Sequence, residues 1–241
     1  MEDIILLGIG GHAHSVVDSI EQIGKYRILG FLDTKEMVGK FYRGYSVLNT
    51  DDAMKRYYDN GVKNAFVTVG FMGHGNVRER LYQQLKSTGY TLPNIIDNTA
   101  VVSENVKLGE GIFVGKKAVI NAEAEIGDMC IVNTGAIIEH DCIVEEFSHI
   151  SVGSVLCGSV HIGKASFVGA NAVVIQEKSL GRQCIVAAGT TVRKNTEDYC
   201  MVWDGTCRKM LKKWREGGGV NNPNPYEQFS MYILRRWAKC A

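Results

Sequence analysis

The chain has 241 residues, 45% hydrophobic and 22% charged, with 27 Lys and Arg against 26 Asp and Glu for a net charge of +1. This composition excludes a disordered chain, fits one or two globular domains, and its near-neutral balance argues against a nucleic-acid partner. No stretch approaches the roughly 20 apolar residues of a membrane span. The acidic start Met1-Glu2-Asp3 is unlike a secretory signal, and seven Cys without a Cys-x-x-Cys pair point to a reducing cytoplasm, not to a disulfide framework or a zinc cluster.

Proline cannot continue a helix or join a sheet interior, so the three prolines, Pro93, Pro223 and Pro225, mark segment boundaries. The resulting parse is residues 1–92, 93–202 and 203–241. In the first segment Ile4-Ile5-Leu6-Leu7 reads as a buried strand, followed by Gly8-Ile9-Gly10-Gly11-His12-Ala13 and a helix with Val16, Val17 and Ile20 on one face. Arg27–Leu32, ending at Asp33, and Ala65–Gly70 are predicted as further strands, with a helix over about 77–85. Alternating strands and helices imply a Rossmann-like parallel sheet. Glycines after the first strand let a phosphate approach the free N–H groups of a helix N-terminus. Gly8-x-Gly10-x-x-Ala13 with Asp33 also satisfies the dinucleotide fingerprint. A segment this short holds only half of a two-lobed dinucleotide fold, so a nucleotide-sugar pocket is favoured over NAD, and glycine packing without any ligand is the third reading.

The second segment carries a period of six. From Ile96 through Val102, Leu108 and Val114 to Val192, every sixth residue is a branched aliphatic. Four residues later the side chain is usually small, as at Ala118, Cys130, Ala136, Cys142, Ser148, Ser154 and Ala172. Neither a 3.6-residue nor a two-residue period accounts for this. Six residues make one short strand and one corner, three such sides close a triangular coil of 18 residues, and successive coils stack as parallel strands roughly 4.8 Å apart. Branched residues point inward, so the next-but-one residue points out. His140, two after Ile138, therefore faces solvent, with the small Ala122 and Gly158 one coil before and after it and the acids Glu139 and Asp141 beside it. Such acids fix the tautomer of an imidazole and raise its basicity. His149, immediately before Ile150, points outward too.

The segment Asn133-Thr134-Gly135-Ala136-Ile137-Ile138-Glu139-His140-Asp141-Cys142, with Phe147-Ser148-His149-Ile150-Ser151-Val152-Gly153, resembles the hexapeptide-repeat sugar acetyltransferases. These join a small nucleotide-sugar domain to a left-handed parallel β-helix. The resemblance covers roughly residues 3–200 and implies the rest of the reading. The fold is an α/β Rossmann-like domain followed by a left-handed β-helix, with a C-terminal helical tail. The activity is acetyl-CoA-dependent transfer to the amine of a UDP-, dTDP- or GDP-linked 4-amino-4,6-dideoxy sugar, with O-acetylation of sialic acid or another sugar hydroxyl as the alternative. By the same resemblance His140 is the general base and Asp141 tunes it. Gly10, Gly11, His12, Asp33, Thr34 and Gly70 take the nucleotide sugar. His149, Ala170 and Ala188 line the acetyl-CoA groove, and the protein is a cytoplasmic homotrimer with sites between protomers. Transfer is direct and needs no metal. A zinc enzyme would need three converging histidines, which His140, His149 and His161 do not supply at their spacing; a non-catalytic scaffold is the other alternative.

The end of the chain departs from the family. Val202-Trp203-Asp204-Gly205-Thr206-Cys207-Arg208 lacks the usual proline-containing motif near the CoA adenosine end, and Arg208, Lys209 and Lys212 are candidates to replace it. Past Gly217-Gly218-Gly219, Tyr226, Phe229, Ile233 and Trp237 fall at helical spacing. That pattern predicts a helix docking on the β-helix or on a neighbouring protomer, with a basic membrane-surface helix less favoured.

Overall fold

A computed structural model describes residues 1–73 and 75–209. Its N-terminal unit is built on β1 (Glu2–Leu7), whose Ile4, Ile5, Leu6 and Leu7 are all fully buried because helices or the β-helix cover both faces of the sheet. The helix α1 (Gly11–Ile23) buries Ala13, Val16, Val17 and Ile20 and ends on the left-handed Gly24. After it come β2 (Tyr26–Asp33), β3 (Phe41–Tyr42), β4 (Tyr45–Thr50), α2 (Met54–Asp59), β5 (Asn64–Val67) and α3 (Val77–Thr88). The sheet order is β3-β4-β2-β1-β5, with β4, β2, β1 and β5 parallel and β3 turned back on β4. The hairpin β3–β4 was not anticipated from the sequence: only Val47 of β4 is buried, so an edge strand of this kind carries no alternating pattern. The strand expected over 65–70 stops at Val67, where the Thr68 hydroxyl turns back to donate to the Leu7 carbonyl at 2.8 Å.

Seventeen two-residue strands follow, from Ile95–Ile96 to Thr191–Val192, one for each period of six. They stack with an offset of 18 residues into three parallel faces. The first face holds strands such as Phe113–Val114, Ile131–Val132 and His149–Ile150. The second holds Val119–Ile120, Ile137–Ile138 and Val155–Leu156, and the third Glu125–Ile126, Ile143–Val144 and His161–Ile162. The inward ladder, including Val114, Ile120, Val132, Ile138, Ile150 and Leu156, is completely buried together with the small Ala118, Cys130, Ala136 and Cys142. Each branched side chain so buried contributes roughly 1.5–3 kcal/mol. Small residues are needed four positions later because the coil narrows at its corners. Every corner from Gly111 to Gly189 turns through the left-handed region, with φ between 50° and 67°, and ten of these fourteen residues are not glycine. Stacking enforces that conformation against a cost of about 1–2 kcal/mol per residue.

The outward side chains differ by face. On the first, Phe113, Ile131, Phe167 and Ile185 join Leu6, Val16 and Phe66 in one apolar cluster, so the N-terminal unit sits on this face. The second presents Val101, Val119, Ile137, Val155 and Val173 in a column, none of them fully buried. On the third, Lys107 pairs with Glu125 at 2.6 Å and His161 with Glu145 at 2.8 Å.

After the last coil, strands Cys200–Trp203 and Thr206–Lys209 form an antiparallel hairpin that extends the first face. A disulfide joins Cys200 to Cys207 across this hairpin. Only the hairpin brings this pair together, so cysteine spacing carried no sign of it; Cys130, Cys142, Cys157 and Cys184 are free. No helix among the described residues is long and apolar enough to cross a membrane. Lys212 and the helix expected around Tyr226–Trp237 lie outside the described residues.

Candidate active site

His140 sits two residues beyond the inward Ile138, at the corner between the second and third faces, with its side chain 62% exposed. Backbone bonds from the adjoining coils fix the corner: Asp141 N–H donates to the Ala122 carbonyl and Ser159 N–H to that of His140. Asp141 occupies the left-handed corner position with φ 57°, and its carboxylate lies 2.7 Å from Nδ1 of His140. That bond raises the imidazole above its ordinary pKa against the opposing effect of desolvation, with the charges of Asp141 and Glu139 adding to it. It also puts the ring proton of the neutral form on Nδ1, leaving the Nε2 lone pair to take a proton. The ring rests against Gly158 of the next coil.

The glycine loop is held from below. Asp33 accepts from the Ile9 N–H at 2.8 Å and from the Thr34 N–H at 2.6 Å, so its carboxylate braces the loop from the end of β2. Gly8 has φ +102°, and a methyl group there would strike Val69, so only glycine turns the chain at this point. Gly10 precedes α1 without any side-chain cap, and nothing lies within 4 Å of a methyl group built on Gly10 or Gly11. The first N–H groups of α1 therefore open toward a cleft of about 590 Å³ between the N-terminal unit and the β-helix. Gly11, His12, Gly70, Asn133 and His149 line it.

The two cleft histidines are neutral. Burial holds His12 down at about 3, helped by the charges of Arg78 and His149, and its Nε2 has no hydrogen-bond partner. Burial likewise lowers His149 to about 4, with the Phe71 bond opposing and the Arg78 charge assisting. His149 leaves the coil outward as expected, yet the N-terminal unit covers it to 8% exposure. Its Nδ1 donates to the Phe71 carbonyl at 2.6 Å, and its Nε2 faces Asn133 Nδ2 at 3.2 Å. The structure thus brings Gly11, His12, Gly70 and His149 together, with Gly10, Asp33 and Thr34 around the adjoining loop. Ala170 and Ala188 fall in a column with Thr134 and Val152 at the corner between the first and second faces, and Thr134 and Val152 line the cleft together with His149. His140 and Asp141 stand at the opposite edge of the second face.

Three residues of this site were missed. Asn133 lay within the motif but pointed to no role, Phe71 acts through its backbone, and Arg78 sits in the helical run Arg78-Glu79-Arg80, which reads as a solvated surface.

A three-faced hexapeptide coil joined to a small parallel-sheet unit, with a cleft at the open N-terminus of a helix between them, is the architecture of the hexapeptide-repeat acyltransferases. Residues 3–85 match the PglD N-terminal domain. The GDP-perosamine N-acetyltransferase of Caulobacter crescentus, solved as a histidine-to-alanine mutant with CoA and GDP-perosamine, is 30% identical with a TM-score of 0.81, over 88% of this chain and 98% of that one. The acetyltransferase domain of PglB from Neisseria gonorrhoeae is 28% identical with a TM-score of 0.80, over 87% of this chain and all of that one. The same domain in complex with acetyl coenzyme A gives 26% identity and a TM-score of 0.78, over 87% of this chain and 99% of that one. No curated protein sequence matches. The chain belongs to the hexapeptide-repeat sugar acetyltransferases, acetyl-CoA-dependent N-acetyltransferases built on a left-handed β-helix.

Proposed function

We propose that the chain moves the acetyl group of acetyl-CoA to the amine of a nucleotide-linked 4-amino-4,6-dideoxy sugar, with His140 as general base. The relative with GDP-perosamine bound supports that substrate class. In this reading residues 1–92 hold the nucleotide sugar, 93–202 carry the chemistry, and 203–241 form an extension. The diphosphate lies at the N-terminus of α1, on the loop that Asp33 braces, and the sugar extends past Gly70 and His12 toward His149.

One observation carries the proposal: the uncovered aliphatic column of the second face runs between the His140 corner and the corner with Ala170 and Ala188. Such a column is buried when copies of the chain pack through it. A homotrimer formed this way sets the His140 corner of one protomer against the cleft and the Ala170–Ala188 groove of the next, so each site is made by two chains. Acetyl-CoA lies along that groove.

Transfer is direct. The neutral amine attacks the thioester carbon as His140 Nε2 takes its proton, and Asp141 stabilises the imidazolium. Backbone N–H groups hold the oxyanion. On collapse the C–S bond breaks, and His140 returns the proton to the CoA thiolate. General base catalysis of this kind gives about 10²–10⁴-fold.

The test is incubation with acetyl-CoA and a panel of UDP-, dTDP- and GDP-linked 4-amino sugars plus sialic acid, following free thiol and identifying the product by mass spectrometry. Thiol release with an amino sugar and an N-acetyl product is expected. Release with sialic acid alone would move the reading to O-acetylation, and release with none would remove it.

A further inference from the structure

Arg78, in the first turn of α3, is 5% exposed and forms no ion pair among the described residues. Its two terminal nitrogens donate to backbone carbonyls, of Val69 at 2.6 Å and of Met129 at 2.5 Å, while its Nε has no partner. An uncompensated buried cation costs several kcal/mol, and a well-packed apolar residue would serve stability better. The position of the two carbonyls gives the guanidinium a different use. Val69 opens the loop that carries Phe71. Met129 forms a corner two residues before Ile131, the strand partner of His149. One planar fork therefore ties this loop to the coil beneath His149. The loop is pressed onto the β-helix at its far end too: Gly73 has φ +81°, and a methyl group there would lie 2.5 Å from Ile185.

The clamped loop decides the state of His149. A carbonyl only accepts, so the 2.6 Å contact with Phe71 requires the proton on Nδ1. Asn133 Oδ1 accepts from the N–H of Thr134 at 2.8 Å. Its amide nitrogen is thereby turned to Nε2 of His149, which must offer a lone pair. Both constraints agree on one neutral tautomer.

We infer that Arg78 is a positioning residue of the transfer reaction, clamping the Val69–Gly73 loop to the β-helix so that the Phe71 carbonyl fixes His149 as the Nδ1-protonated imidazole with Nε2 as acceptor at the cleft wall. This rests on the reading of that cleft as the sugar-binding half of the active site. The burial and neighbouring charge that keep His149 neutral agree with it.

The test uses the full chain with Arg78→Met and Arg78→Lys, checked for wild-type circular dichroism and oligomer size. Two-dimensional ¹H–¹⁵N spectra of the His149 ring read the tautomer without substrate. Wild type is expected to show a protonated Nδ1 and a bare Nε2. Arg78→Met is expected to lose this pattern and at least about tenfold in kcat, part of the hundredfold that about 1 Å of misplacement can cost, with both KM values changed less than about threefold. Arg78→Lys, which keeps the charge and loses the fork, is expected to fall between them and decides the matter if Arg78→Met does not fold. Unchanged ring signals in a folded variant would overturn the inference, as would altered signals with unchanged kcat. If wild type turns over no amino sugar, the functional reading fails instead, and the ring spectra still report on the clamp.

Discussion

His140 lies against Gly158: a methyl group at residue 158 would come within 2.6 Å of Nε2 and 2.7 Å of Cε1. The missing side chain is thus the seat of the imidazole. Gly158 does not have positive φ, so its backbone accepts alanine and the collision falls on the ring. Gly158→Ala is expected to lower kcat by about 10- to 100-fold while the melting temperature stays close to wild type. An unchanged kcat would show that the ring works from another rotamer.

The acid limb of the pH profile follows from the Asp141 bond. Only neutral His140 accepts a proton, so kcat/KM rises with pH through its pKa, which Asp141 holds above the ordinary imidazole value. Asp141→Asn removes the carboxylate, and the limb is expected to move to lower pH while the plateau drops. A limb that stays in place would assign the titration to another group.

Asp33 is expected to act on binding alone. Its carboxylate takes the N–H groups of Ile9 and Thr34 and touches no reacting atom in this account. Asp33→Ala leaves the glycine loop unbraced, so the KM for nucleotide sugar should rise about tenfold or more, in line with the roughly 1.5–3 kcal/mol of a charged hydrogen bond. The KM for acetyl-CoA should stay within about twofold. Equal changes in both would place Asp33 elsewhere in the mechanism.

The aliphatic column gives a separate test of assembly. Ile137 and Val155 are adjacent in it and point away from the core. Ile137→Lys with Val155→Lys sets two like charges side by side on the proposed interface and leaves the inward ladder intact. Size exclusion is expected to show a folded monomer without turnover. A variant that keeps both the wild-type size and activity would rule out this face as the interface.

The coil was legible because its signal repeats: each inward aliphatic from Ile96 to Val192 repeats the same geometric demand, and even the outward placement of His140 follows from counting two past Ile138. The corners were not, since ten residues as different as Lys117, Phe147 and Ala165 take the left-handed turn that stacking imposes. The glycine loop was readable through Gly8 and Gly10, whereas the edge hairpin β3–β4 buries too little to leave a pattern. His149 was placed on the correct side of the coil. What covers it depends on a loop more than seventy residues earlier in the chain, and neither the Phe71 carbonyl nor the buried Arg78 has any local signature. The Cys200–Cys207 pair likewise depends on a hairpin register that spacing does not reveal.

The central claim is that His140 takes the proton from the acceptor amine. It is tested most directly by turnover of His140→Ala with acetyl-CoA and the best amino sugar of the panel, alongside circular dichroism and oligomer size. At least a hundredfold loss of kcat, within the range of about 10²–10⁴ for a general base, is expected with fold and assembly unchanged. Near-normal turnover in the folded variant would contradict the account.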